Sequence, residues 1–131
     1  MHHVQIWRDI NDAVHNALRD RLDVLDETDL IERSDALLVQ LPTMGSAQPT
    51  TALLLRRYHV QLHQELCQGT QPRSQFATLT DELREMTRAV AVTIGAEEGI
   101  SVDNTVLIAL VLYKRGLASF CTMPQTAGVV P

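Results

Sequence analysis

His59, His63 and Cys67 stand at two successive four-residue steps, which in a helix stacks them in a row one turn apart. A His-x-x-x-His pair can hold a transition metal, and a thiolate in the same row would add a soft ligand suited to zinc. The row supplies fewer ligands than a closed structural zinc site needs, and no acidic residue accompanies it in the Glu-x-x-His pattern of helix-bundle metal sites. Cys67 has also drifted about 80° round the helix from His59. Boundary positions on an amphipathic helix are the expected reading, with no metal and no cofactor. Met1-His2-His3 places a histidine third in the chain, a geometry that suits square-planar copper or nickel, but nothing around it suggests metal handling.

The helix that positions the row is expected from Thr51 to Gln68, with Leu55, Tyr58, Leu62 and Leu66 as its core line and Gly69 as its stop. Within it, Arg57, a short gap and His63 resemble the signature of the HEPN ribonucleases, which are small, helical and dimeric. The resemblance covers these two residues only. It implies that Arg57 and His63 act together on an RNA phosphate, and this enzymatic reading ranks third, beside metal binding through His59 and His63.

The rest of the chain is organised around Val106–Tyr113, eight apolar residues in succession. Ser101 or Asp103 can cap a first turn, Lys114 and Arg115 suit the negative end of a helix, and Gly116 suits its C′ position. A helix here is apolar on every side and must be surrounded. It is well short of the ~18 residues that span a bilayer, so its surroundings are other helices of this chain or a second copy of it.

The other helices follow from periodicity and capping. A first is expected from His3 or Val4 to Leu25, burying Ile6, Ile10, Ala13, Val14, Ala17, Val24 and Leu25, with Arg21 in the apolar arc as a snorkelling rim residue or a carboxylate's partner. A second runs from Asp29 to Gln40 with Leu30, Leu37, Leu38 and Leu41 inward, ended by Pro42. The loop that follows has no Gly-Lys-Ser/Thr ending and makes no phosphate cradle. A fourth, capped by Thr78 or Thr80, reaches Glu98 along Leu79, Leu83, Met86, Val90 and Ile94, with Gly99 as its stop.

Between Arg73 and Gly116 the order is a short extended stretch over 75–79, a helix, a turn at Glu97–Ser101 and the apolar helix, which looks like the ribbon-helix-helix repressors. That resemblance implies two chains pairing their strands in the major groove of DNA, with Arg73, Gln75 and Ala77 facing the bases and the helix after Ser101 gripping phosphate. It covers about a third of the chain. The charge distribution gives it no help: residues 1–52 hold nine acids against four bases, residues 53–131 hold seven of each, and the net charge is −5.

The expectation is therefore an all-α, single-domain bundle of about five helices over residues 1–121, with the apolar helix near 103–116 at its centre and a loosely ordered tail over 122–131. Two cysteines without a leader pattern suggest a reduced, cytoplasmic protein with no membrane segment. No nucleophile-base pair appears, so the leading function is a non-enzymatic adaptor or regulator that binds a protein partner and itself as a homodimer. A dimeric DNA-binding regulator is the alternative.

Overall fold

The computed structural model describes residues 2–40, 49–67, 78–116 and 120–121. The described residues are all-α: α1 (His2–Arg19), α2 (Glu27–Leu38), α3 (Thr51–Arg57), α4 (His59–Cys67), α5 (Leu79–Val90), α6 (Ala96–Glu98) and α7 (Val102–Arg115). No helix among them is long and apolar enough to cross a membrane. The tail over 122–131, Leu41, Pro42 and Gly69 lie outside the described residues.

α7 forms as its flanks predict. Ser101 Oγ accepts the Asn104 N–H at 3.1 Å, Gly116 closes the helix at φ 92°, and Arg115 pairs with Glu27 at 3.2 Å. Every residue from Asn104 to Leu112 is buried. α1, α2 and α5 pack against it, so this chain itself covers the apolar helix. Burial of a Leu, Ile or Val side chain contributes about 1.5–3 kcal/mol, which makes α7 the largest apolar investment in the bundle.

α1 buries Ile10, Ala13, Val14 and Ala17 but stops at Arg19, short of the expected Leu25. Arg21 takes a left-handed conformation (φ 60°), Leu22–Val24 form a 3₁₀ turn, and Leu25 is extended. No glycine or proline announces this break. Its compensation is local: Leu22 and Leu25 pack on the core, and Asp26 Oδ1 caps α2 by accepting the Asp29 N–H at 2.8 Å. Arg21 therefore lies exposed outside the helix instead of in an apolar arc, and Val24, expected inside, is 59% exposed.

The single helix expected over 51–68 is divided at Tyr58, whose backbone (φ −104°, ψ 18°) departs from helical values. The ladder continues through it, since Tyr58 N–H donates to Leu54 O at 3.0 Å and Leu62 N–H to Tyr58 O at 2.9 Å. Leu55, Leu62 and Leu66 are buried as the spacing requires. α5 begins at the Thr78 cap, which accepts the Asp81 N–H at 3.1 Å, so Thr78 and Leu79 belong to a helix start and not to a strand; residues 75–77 lie outside the described set. Its inner line of Leu83, Met86, Val90 and Ile94 is buried. Between α5 and α6 the chain makes one π turn, Ala91–Gly95, in which Ala96 N–H reaches back five residues to Ala91 O. Gly99 ends the helix at φ 69°.

Two links across the bundle were not expected. Cys67 and Cys121 form a disulfide, with Cα atoms 5.4 Å apart, which corrects the expectation of reduced cysteines. The pairing arises because the fold returns residue 121 to the C-terminal end of α4. A buried polar network also joins α2, α3 and α7: Thr51 Oγ1 donates to Ser34 Oγ at 2.7 Å, and Asn104 Nδ2 donates to the same oxygen at 2.8 Å.

Candidate functional site

α4 presents two chemically distinct faces. On the inner one, His59 and His63 are both buried with ring centroids 6.0 Å apart. Phe120 stands edge-on to His59 at 5.1 Å and tilted to His63 at 5.8 Å. His63 Nε2 lies 3.2 Å from the carbonyl oxygen of Cys121. A carbonyl oxygen can only accept, so Nε2 carries the proton there, and Nδ1 is left buried without a hydrogen-bond partner among the described residues. The His59, His63 and Cys67 row does converge in space, together with Cys121 and Phe120. Its sulfur, however, is bonded to carbon and sulfur and is no thiolate. Among the described residues no group of three or more His, Cys, Asp or Glu can hold a metal ion.

Arg57 and His63 do not share a site. Arg57 turns to Glu98 Oε2 at 2.9 Å at the end of α6, whereas His63 is covered and bonded to Cys121. The chemistry implied by the ribonuclease resemblance needs both side chains on one accessible phosphate, whereas here Arg57 is paired with Glu98 and His63 is buried. Arg73, Gln75 and Ala77 lie outside the described residues, as do the side chains of residues 1–6.

The outer face of α4 forms one wall of a groove that no single stretch of sequence signals. Tyr58, Gln61, Gln64 and Glu65 line it from the α3–α4 side, and Val92, Thr93 and Glu97 line it from the π turn and α6. The π turn matters here because its extra residue turns Val92 outward, 46% exposed, while Thr93 and Ile94 stay buried. At one end Tyr58 Oη donates to Glu98 Oε2 at 2.6 Å, and Arg57 holds the same oxygen. At the other, Arg88 sits between Glu65 at 3.5 Å and Glu85 at 3.3 Å.

Electrostatics fix the role of Tyr58. Burial, then the hydrogen bond to Glu98 and the charges of Glu98 and Glu97, push its phenol up to about 12, with Arg57 opposing. The hydroxyl is a donor at every physiological pH and is unsuited to general-base work, whose efficient pKa lies near the operating pH. It is a strut that fixes Glu98 and the groove's end.

The sequence anticipated Tyr58 as a core residue, and Leu55, Leu62 and Leu66 as its neighbours. It missed the groove, because Gln61 and Gln64 on one helix and Val92 and Glu97 on another each read as ordinary solvated surface. Comparison with protein-family models, with curated proteins and with solved structures finds no match to this chain.

Proposed function

We propose that this protein is a small, non-enzymatic helical adaptor or regulator that holds a segment of a partner protein in the groove between α4 and the π turn. The observation that carries the reading is the groove's composition. Val92 and the ring of Tyr58 offer apolar contact, Gln61 and Gln64 offer amides that can donate to and accept from a peptide backbone, and Glu65 and Glu97 offer negative charge. The segment that fits is one with an accessible backbone, an apolar residue and a neighbouring Lys or Arg. Nucleic acid, the alternative partner class, suits it poorly, because the same two carboxylates repel phosphate.

Self-association is no longer required to cover α7, which α1, α2 and α5 already bury, so the reading places the partner in the groove. We place the protein in the cytoplasm, where lasting disulfides are rare and those that form are mostly transient, catalytic or redox-sensing, so that Cys67–Cys121 would be one of these.

The test compares binding by the native chain, by Gln61→Arg with Val92→Arg, and by Ala52→Arg on the exposed face of α3. A partner held by the native and Ala52→Arg proteins and released by the groove variant supports the proposal. Equal binding by all three proteins overturns it.

A further inference from the structure

Phe120 and Cys121 are fastened to α4 through their side chains and the Cys121 carbonyl, while Phe120 is also buried in the core and its N–H donates to Gly116 O at 3.0 Å. Phe120 packs on His59 and His63, the Cys121 carbonyl accepts from His63 Nε2, and Cys121 Sγ is bonded to Cys67 Sγ at the end of the same helix. The main packing of the bundle is elsewhere, α7 against α2 and α5 and α1 against α5 and α7, and none of these four helices contains a cysteine. The fastened state also carries a defect. His63 Nδ1 is buried without a partner among the described residues, a cost that water would remove if Phe120 and Cys121 moved away.

We propose that Cys67–Cys121 is a redox latch, whose reduction releases Phe120 and Cys121 from α4 and bares the His59–His63 face while the bundle stays folded. Both cysteines are half-buried at the margin of the core and not enclosed in it. The reductant is a dithiol. One of its thiolates attacks a protein sulfur, the S–S bond breaks, and the departing cysteine leaves as a thiolate that takes a proton. The second dithiol sulfur then attacks the mixed disulfide and releases the other cysteine. The net change is two electrons and two protons to the protein and one disulfide formed in the dithiol. Without the S–S bond, Phe120 and Cys121 are retained by the burial of the Phe120 ring, the Phe120 N–H bond to Gly116 O and the His63–Cys121 hydrogen bond, against a buried nitrogen that gains by opening.

The full chain is measured air-oxidised, reduced with dithiothreitol, and reoxidised, by proton NMR of the imidazoles and by amide hydrogen exchange. In the oxidised form Phe120 shifts the ring signals of His59 and His63, and Phe120→Ala, with the disulfide intact, identifies that shift. Reduction is expected to abolish the shift and to speed exchange at 120–121 and in α4 by at least about tenfold, with α7 protection unchanged and full recovery on reoxidation. Three results overturn the latch: free thiols in the oxidised protein, imidazole signals that ignore reduction, or loss of α7 protection together with that of α4. The last would make the disulfide a staple of the whole fold. The cycle needs no substitution at either cysteine, so a misfolded variant cannot mask the answer.

Discussion

Asn104 Nδ2 donates to Ser34 Oγ at 2.8 Å, joining the first turn of the most apolar helix to the middle of α2 inside the core. Thr51 Oγ1 donates to the same oxygen, and Thr51 N–H to Asp35 Oδ1 at 2.7 Å, so one serine aligns three helices. Ser34→Ala should leave the Asn104 amide and the Thr51 hydroxyl buried without that acceptor and destabilise the protein by about 1–3 kcal/mol. Removing the whole network, with Ser34→Ala, Thr51→Val and Asn104→Leu together, should cost less than the sum of the single changes, because no orphaned donor remains. Urea denaturation of the single and triple variants measures this. Additive losses would show that the three groups do not act as a unit.

A second expectation concerns alkaline pH. The Tyr58 phenol ionises near 12 in the folded protein and near its ordinary value of 10 when unfolded. Above about pH 10 the unfolded chain therefore releases a proton that the folded chain keeps. The sign follows: this contribution to stability is complete below 10 and is lost as pH rises towards 12. Ultraviolet titration should show a tyrosine step near 12, and Tyr58→Phe should remove that step together with its share of the alkaline loss. A titration above pH 10 that Tyr58→Phe leaves unchanged would contradict the Tyr58–Glu98 bond.

Ser101, Gly116 and the apolar residues between them were legible because a cap, a stop and hydrophobicity are local properties that agree with one another. The inner lines of α1, α4 and α5 were legible for the same reason. Four features were not. Cys67 and Cys121 are 54 residues apart, and no local rule pairs them; only the return of the chain to α4 does. The π turn lies in a stretch that reads as an unbroken amphipathic helix, since one extra residue hardly disturbs the pattern on either side. Asn104 and Ser34 are each unremarkable at their own positions and acquire a role only when α7 crosses α2. Arg21 turns the chain after α1 without being a residue that favours a left-handed backbone, because tertiary packing of Leu22 and Leu25 outweighs local preference.

Arg21 accordingly offers a site for stabilisation. A left-handed conformation costs a non-glycine residue roughly 1–2 kcal/mol, part of which glycine returns through its greater unfolded-state entropy. The side chain is exposed, and no ion pair among the described residues holds it. Arg21→Gly should therefore raise stability by about 0.5–1 kcal/mol, while Arg21→Val, β-branched at positive φ, should lower it. Thermal melts of the two variants, moving in opposite directions, check the backbone geometry at this turn.

The π turn separates fold from binding. Its extra residue is accommodated locally, so deleting Val92, the exposed member of the turn, should convert Ala91–Gly95 to regular α-helix and leave the buried lines before and after it facing the core. Stability should change by less than about 1–2 kcal/mol, whereas deleting Leu83, within the regular part of α5, should cost more than about 3 kcal/mol by rotating one core line out of register. The groove should respond in the opposite sense. Without Val92 its apolar contact is gone and Thr93 and Glu97 shift against Gln61 and Gln64, so a partner held by the native chain should be released by a protein that melts almost normally. A Val92 deletion that unfolds the bundle would mean that the turn is needed for packing. One that folds and still binds would remove the groove from the function.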